Sequence, residues 1–158
     1  MKIISAKGFS LLELLIVIVI LTIVGTISAP NFIKYRGNTN LKEAAREISG
    51  DIHLCKQRAL AENVHYRIVL NVENNNYTIQ KEASHSNWIN VSSIKNVGKN
   101  DASIKIIEDP TFGGDKIIFQ PRGTTNAGTL VLQHEKLLSR ASIITTITGR
   151  VRIKYELK

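Results

Sequence analysis

The chain has 158 residues, with 21 Lys and Arg against 13 Asp and Glu and 43% apolar side chains. That length holds one domain of ordinary size plus a further segment, and it excludes a large multidomain enzyme. The single Cys55 excludes a disulfide scaffold, the supply of Ile, Leu and Val excludes wholesale disorder, and the formal net charge of +8 raises the question of an anionic partner.

The first element is apolar. Phe9 to Ala29 is a run of 21 residues containing one ionisable side chain, Glu13. At about 1.5 Å per residue it just crosses a hydrocarbon core of about 30 Å. Lys2 and Lys7 precede it, so the rule that positive charge stays inside puts the body after Pro30 on the outer side. A secretory signal peptide would need a small-x-small cleavage site, for which Thr26, Ser28 and Ala29 offer a weak candidate. A plain single-pass anchor accounts for the length and leaves Glu13 unexplained, although an acid at the centre of a membrane helix costs about 2.5 to 3.5 kcal/mol.

A third reading gives that acid a partner. The segment Lys7-Gly8-Phe9-Ser10-Leu11-Leu12-Glu13 resembles the processing site of type IV pilins and type II secretion pseudopilins. The resemblance implies a leader of residues 1–8, cleaved after Gly8 by prepilin peptidase, and methylation of the new amino terminus at Phe9. It makes Glu13 the fifth residue of the mature chain and Pro30 the site of a helix kink. Cleavage would leave an ammonium on Phe9 that a carboxylate one turn away, or on a neighbouring copy, can neutralise where unpaired charge is expensive. Glu13 is on that basis an assembly residue, and residues 9–30 are the membrane-spanning and filament-core helix.

Beyond Pro30 the spacing of Leu41, Ala44, Ala45, Ile48, Ile52, Cys55, Ala59 and Leu60 predicts the apolar face of a helix ending near Asn63. Pro30 should kink that helix, and Cys55 reads as a small buried hydrophobe without reactivity. From Val64 the period becomes two. Tyr66, Ile68, Leu70 and Val72 share one face of a strand, and Asn74-Asn75-Asn76 turns into Tyr77 and Ile79. Further strands are expected at 103–107, 116–120, 129–133, 142–147 and 151–157. The stretch from Glu82 to Asn100, rich in Ser, Asn and Lys around Trp88, is expected as a surface excursion. The resulting fold class is α+β: a long N-terminal helix, one half membrane-spanning and the other amphipathic, packed on an antiparallel β-sheet domain, with residues 31–158 outside the membrane.

In the C-terminal half, residues 117–124, the strand from Gly128 to Leu132 and the ending Thr148-Gly149-Arg150-Val151-Arg152 resemble the GspH/FimT group of minor pseudopilins and minor pilins. Gly149 lies between two alternating runs and is expected to supply the positive backbone angle of a hairpin turn. Arg150, Arg152 and Lys154 then share one face of a strand, and Val151, Ile153, Tyr155 and Leu157 the other. Between residues 140 and 158 five basic side chains face one acidic. The plain reading is a solvated edge strand whose charge discourages pairing. In the competence-type minor pilins that this tail resembles, the matching Gly-Arg-x-Arg segment binds DNA, which makes Gly149, Arg150, Arg152 and Lys154 a candidate anion site.

Catalysis finds no support. His53 and Cys55 are two apart on a helix, His65, His85 and His134 lack metal-ligand spacing, and no phosphate loop or nucleophile elbow occurs. No cofactor is expected. The resemblance implies a structural minor subunit of a type II secretion pseudopilus or type IV pilus, in the bacterial inner membrane with its C-terminal domain periplasmic. Its partners would be other pilins or pseudopilins, prepilin peptidase and methyltransferase, the inner-membrane assembly platform and membrane lipid before assembly. A DNA-binding minor pilin for uptake in natural transformation is the alternative.

Overall fold

The computed structural model describes residues 9–84, 87–107 and 110–158, without the side chains of 27–29. Among the described residues one helix, α1 (Leu11–Glu62), is followed by nine strands: β1 (Tyr66–Asn71), β2 (Asn76–Ser84), β3 (Asn87–Asn90), β4 (Lys95–Asn96), β5 (Ile104–Ile106), β6 (Lys116–Phe119), β7 (Gly128–His134), β8 (Ser139–Thr145) and β9 (Val151–Glu156). The chain divides into two units, Met1–Arg36 and Gly37–Lys158.

In the first unit the described large apolar side chains from Phe9 to Val24 are all exposed, from 44% at Val17 to 82% at Leu11. Water is a poor solvent for such a surface, so the helix needs a cover that the chain itself does not supply here. No single described helix is both long and apolar enough to cross a membrane, whereas Leu11–Thr26 and Pro30–Glu62 taken together across a bend are, by length and composition alone. The reason is arithmetic: the 16 residues from Leu11 to Thr26 rise only about 24 Å. Pro30 lies inside α1.

In the second unit α1 turns one stripe inward. Leu41, Ala44, Ala45, Ile48, Ile52, Cys55 and Ala59 are buried at the expected steps of three and four. Leu60 departs from expectation and is half exposed. It sits in the last turn, where the helix stops at Asn63, a residue in the left-handed conformation with φ of 54° that suits a helix end.

Two antiparallel sheets provide the rest of the core. One has the order β3-β2-β1-β6 with β4 also on β2, and the other the order β5-β7-β8-β9. Their inner rows, Tyr66, Ile68, Leu70, Tyr77, Ile79, Ile117 and Phe119 in the first and Ile104, Ile106, Leu130, Leu132, Ala141 and Ile143 in the second, join the helix stripe in one apolar cluster. Asp51 is the buried exception on the helix. It accepts hydrogen bonds from the Tyr77 hydroxyl at 2.7 Å and from Lys95 Nζ at 2.7 Å, so the ion pair and the phenol satisfy each other. Burial first, then the Asp51 carboxylate, pushes the Tyr77 phenol far above its ordinary range.

Residues 82–100 are not the expected surface excursion. β2 continues to Ser84, β3 pairs with it over Gln80↔Asn90 to Ser84↔Asn87, and β4 pairs with its start. These strands hide almost no side chain, so no alternation of apolar residues marks them; backbone pairing and side-chain contacts hold them instead. Arg67 lies over the Trp88 ring at 4.0 Å from its centroid, and Asn75 donates to the Val97 carbonyl. β8 also starts earlier than expected, at Ser139.

Candidate functional site: the N-terminal motif and the basic hairpin

Two places carry the residues that the sequence singles out. At the N-terminus Gly8 lies outside the described residues, Phe9 is exposed, and Glu13 falls in the first turn of α1. Ser10 caps this helix: its hydroxyl accepts from the Leu12 amide at 3.3 Å and its carbonyl from the Leu14 amide at 3.2 Å. Ser10-x-x-Glu13 therefore has the spacing of a capping box, a signal that was present in the sequence beside the processing motif. A carboxylate in the first turn also meets the positive end of the helix dipole. These local terms belong to any helix and do not require an acid inside an apolar run.

At the other end of the chain Gly149 closes the β8–β9 hairpin with φ of 70°. The Thr146 amide donates to the Arg150 carbonyl at 3.0 Å and the Gly149 amide to the Thr146 carbonyl at 2.8 Å, leaving a three-residue loop, Ile147-Thr148-Gly149, with its left-handed residue last. Gly149 is buried, and a Cβ there would come within 2.9 Å of Lys56 and 3.0 Å of the Gly123 carbonyl. Lys56 on α1 donates to the Thr148 carbonyl at 2.8 Å and reaches the Gly149 carbonyl at 3.4 Å. This lysine fixes the hairpin on the helix. Sequence reasoning missed it, because a contact across 92 residues leaves no local pattern.

Arg152 and Lys154 on β9 are exposed and alternate with half-buried Val151, Ile153 and Tyr155, as the period-two reading requires, whereas Arg150, also exposed, lies before the strand because it closes the loop with Thr146. Arg152 lies opposite Ile144, and Lys154 opposite Ser142, on the outer side of the sheet. Lys154 differs from its neighbours, because its Nζ is 3.3 Å from Glu156 Oε1. Both groups are exposed, so that pair contributes little stability but does reduce the local charge. Among the described residues no ion pair is found for Arg150 or Arg152.

The remaining reactive side chains are accounted for structurally. Burial, reinforced by the Asp51 carboxylate, pushes the Cys55 thiol up to about 12, so no thiolate exists at neutral pH. His65 pairs with Glu82 at 2.7 Å and buried His134 with Asp101 at 3.2 Å, while His85 lies outside the described residues. Among the described residues no group of His, Cys, Asp and Glu could hold a metal ion.

Residues 4–29 match the model of the prokaryotic N-terminal methylation motif, and residues 44–149 match that of type II transport protein GspH. The second match covers most of the chain. This chain belongs to the GspH family. No curated protein matches this GspH-family chain. Among solved structures it is similar to the minor pseudopilin EpsH of the Vibrio cholerae type 2 secretion system, at 10% identity and a TM-score of 0.60, over 73% of this chain and 97% of that one. It is also similar to the type IV minor pilin FimU of Pseudomonas aeruginosa, at 16% identity and a TM-score of 0.59, over 73% of this chain and 89% of that one. At such identities the likeness is one of fold, and it matches the α+β arrangement of a long N-terminal helix packed on antiparallel sheet.

Proposed function

We propose that this GspH-family chain is a minor filament subunit of a type II secretion pseudopilus or type IV pilus. In this reading prepilin peptidase cuts between Gly8 and Phe9, Phe9 is methylated, and the apolar helix holds the chain in the inner membrane until the assembly platform moves it into a filament. Residues 31–158 then lie on the periplasmic side. The observation that carries the proposal is the exposed apolar run of α1 with one carboxylate, Glu13, inside the methylation motif. The subunit acts by packing and presenting surface and has no chemistry of its own.

Glu13 neutralises the amine that cleavage exposes, in its own chain or in a neighbour, and so favours correct register between helices. The test is to compare wild type with Glu13→Ala in cells, separating membrane from sheared filament fractions. The variant should stay in the membrane at wild-type amount and fall at least tenfold in the filaments. Undiminished incorporation would contradict the assigned role.

A second reading, DNA capture, is favoured by one observation: Arg152 on β9 and Arg150 just before it are both exposed without a carboxylate in contact. Phosphate contacts would then give an affinity that falls steeply with salt. Anisotropy of a labelled duplex with the full chain in non-ionic detergent should show a weaker salt slope after Arg150→Ala and Arg152→Ala. An unchanged slope removes this reading.

A further inference from the structure

The hairpin end of the second sheet combines charge with an apolar hollow. The hollow, of about 550 Å³, is lined by Ala127, Ile144, Ile147 and the threonines around them. Ile147 at the loop tip is 66% exposed and joins Ala127 and Ile144 in one exposed apolar patch. Thr129, Ile144 and Arg152 are aligned across β7, β8 and β9, so the arginine rises from the same face as the hollow. Arg150 lies just before β9, where its carbonyl accepts from the Thr146 amide at the base of the same loop. The loop is not free to fold its isoleucine inward. Lys56 grips the Thr148 and Gly149 carbonyls, and the Thr125 amide donates to the Ile147 carbonyl at 3.0 Å.

We propose that this hairpin end is a protein-docking surface that takes an acidic segment of a neighbouring pilin-like subunit, with one aliphatic or aromatic side chain of that segment seated between Ile144 and Ile147. An apolar centre ringed by polar groups is the anatomy of a protein interface, and arginine is enriched there. Interfaces with nucleic acid are more polar and cationic throughout and give no reason to hold an isoleucine at the tip. Charge complementarity fixes the partner's chemistry. Arg152 stands beside Ile144 of the hollow and Arg150 closes the loop that carries Ile147, both without a carboxylate in contact, so a partner carrying Asp or Glu on either side of its apolar residue satisfies them. The inference rests on the filament-subunit reading and adds to it the site by which the folded body meets its neighbour.

The test places a photocrosslinking phenylalanine at Ile147, and separately at Val17 in the apolar helix, in the full chain assembled in cells. Crosslinked peptides are then identified by mass spectrometry. The proposal expects Ile147 to crosslink to a pilin-like subunit within a few residues of an Asp or Glu, and expects the double change Arg150→Glu, Arg152→Glu to reduce that product at least tenfold. A product on a segment without acids, a product insensitive to the charge reversal, or a product on nucleic acid overturns it. Crosslinking at Val17 without any at Ile147 overturns the docking surface alone. Absence at both positions overturns the filament-subunit reading as well.

Discussion

Single residues differ in how far their roles can be read ahead of the structure. Glu13 stands out in the sequence because an acid in a 21-residue apolar run is conspicuous, and the structure puts it in the first turn of α1; Asp51 did not stand out, because an acid among Lys and Arg on an amphipathic helix looks like solvated surface. In the fold Asp51 is 7% exposed and joins α1 to β2 and β4 through Tyr77 and Lys95. Removing it leaves an ammonium and a phenol without their acceptor. Asp51→Ala should therefore lower stability by about 3 kcal/mol, near the bottom of the usual range for a broken buried pair because Lys95 keeps some contact with water. Replacing all three polar ends, Asp51→Leu with Lys95→Met and Tyr77→Phe, should recover most of that loss. Urea unfolding of the full chain in detergent, followed by Trp88 fluorescence, measures both; a loss under 0.5 kcal/mol for the single variant would show the pair to be a surface one.

At the scale of elements, legibility followed side-chain burial. Seven of the eight helix positions expected on the inner stripe are buried, Leu60 being the exception, and the strands with an apolar inner row fell close to their expected bounds apart from the early start of β8. β3 and β4 stayed hidden, since their side chains gain little from the core and their order comes from backbone bonds to β2. The β8–β9 hairpin shows both sides of this. Gly149 was readable as a turn residue, but its neighbours Lys56 and Gly123 were not, coming from α1 and from the loop after β6. Gly149→Ala must hold a left-handed backbone against those two contacts. It should cost about 1 to 2 kcal/mol, measured by the same unfolding experiment. A cost of a few tenths would mean that the loop relaxes away from the helix.

For the whole molecule, the two units pose different solvation problems. Unit Gly37–Lys158 closes its own apolar core, while the helix of the first unit exposes every large apolar side chain described from Phe9 to Val24. The exposed helix falls within the methylation motif at residues 4–29, and the closed core within the GspH match at residues 44–149. What the composition could not contain was the place of the partner surfaces, since docking depends on which side chains three separate elements bring to one end of a sheet. The proposed filament role requires that cleavage create an amine beside Glu13. Intact-mass and N-terminal peptide analysis of the protein isolated from its own membranes tests it most directly. The account predicts a chain that begins at Phe9 and carries one methyl group on its amino nitrogen. A native chain that still begins at Met1, or that begins beyond Ala29, would contradict it.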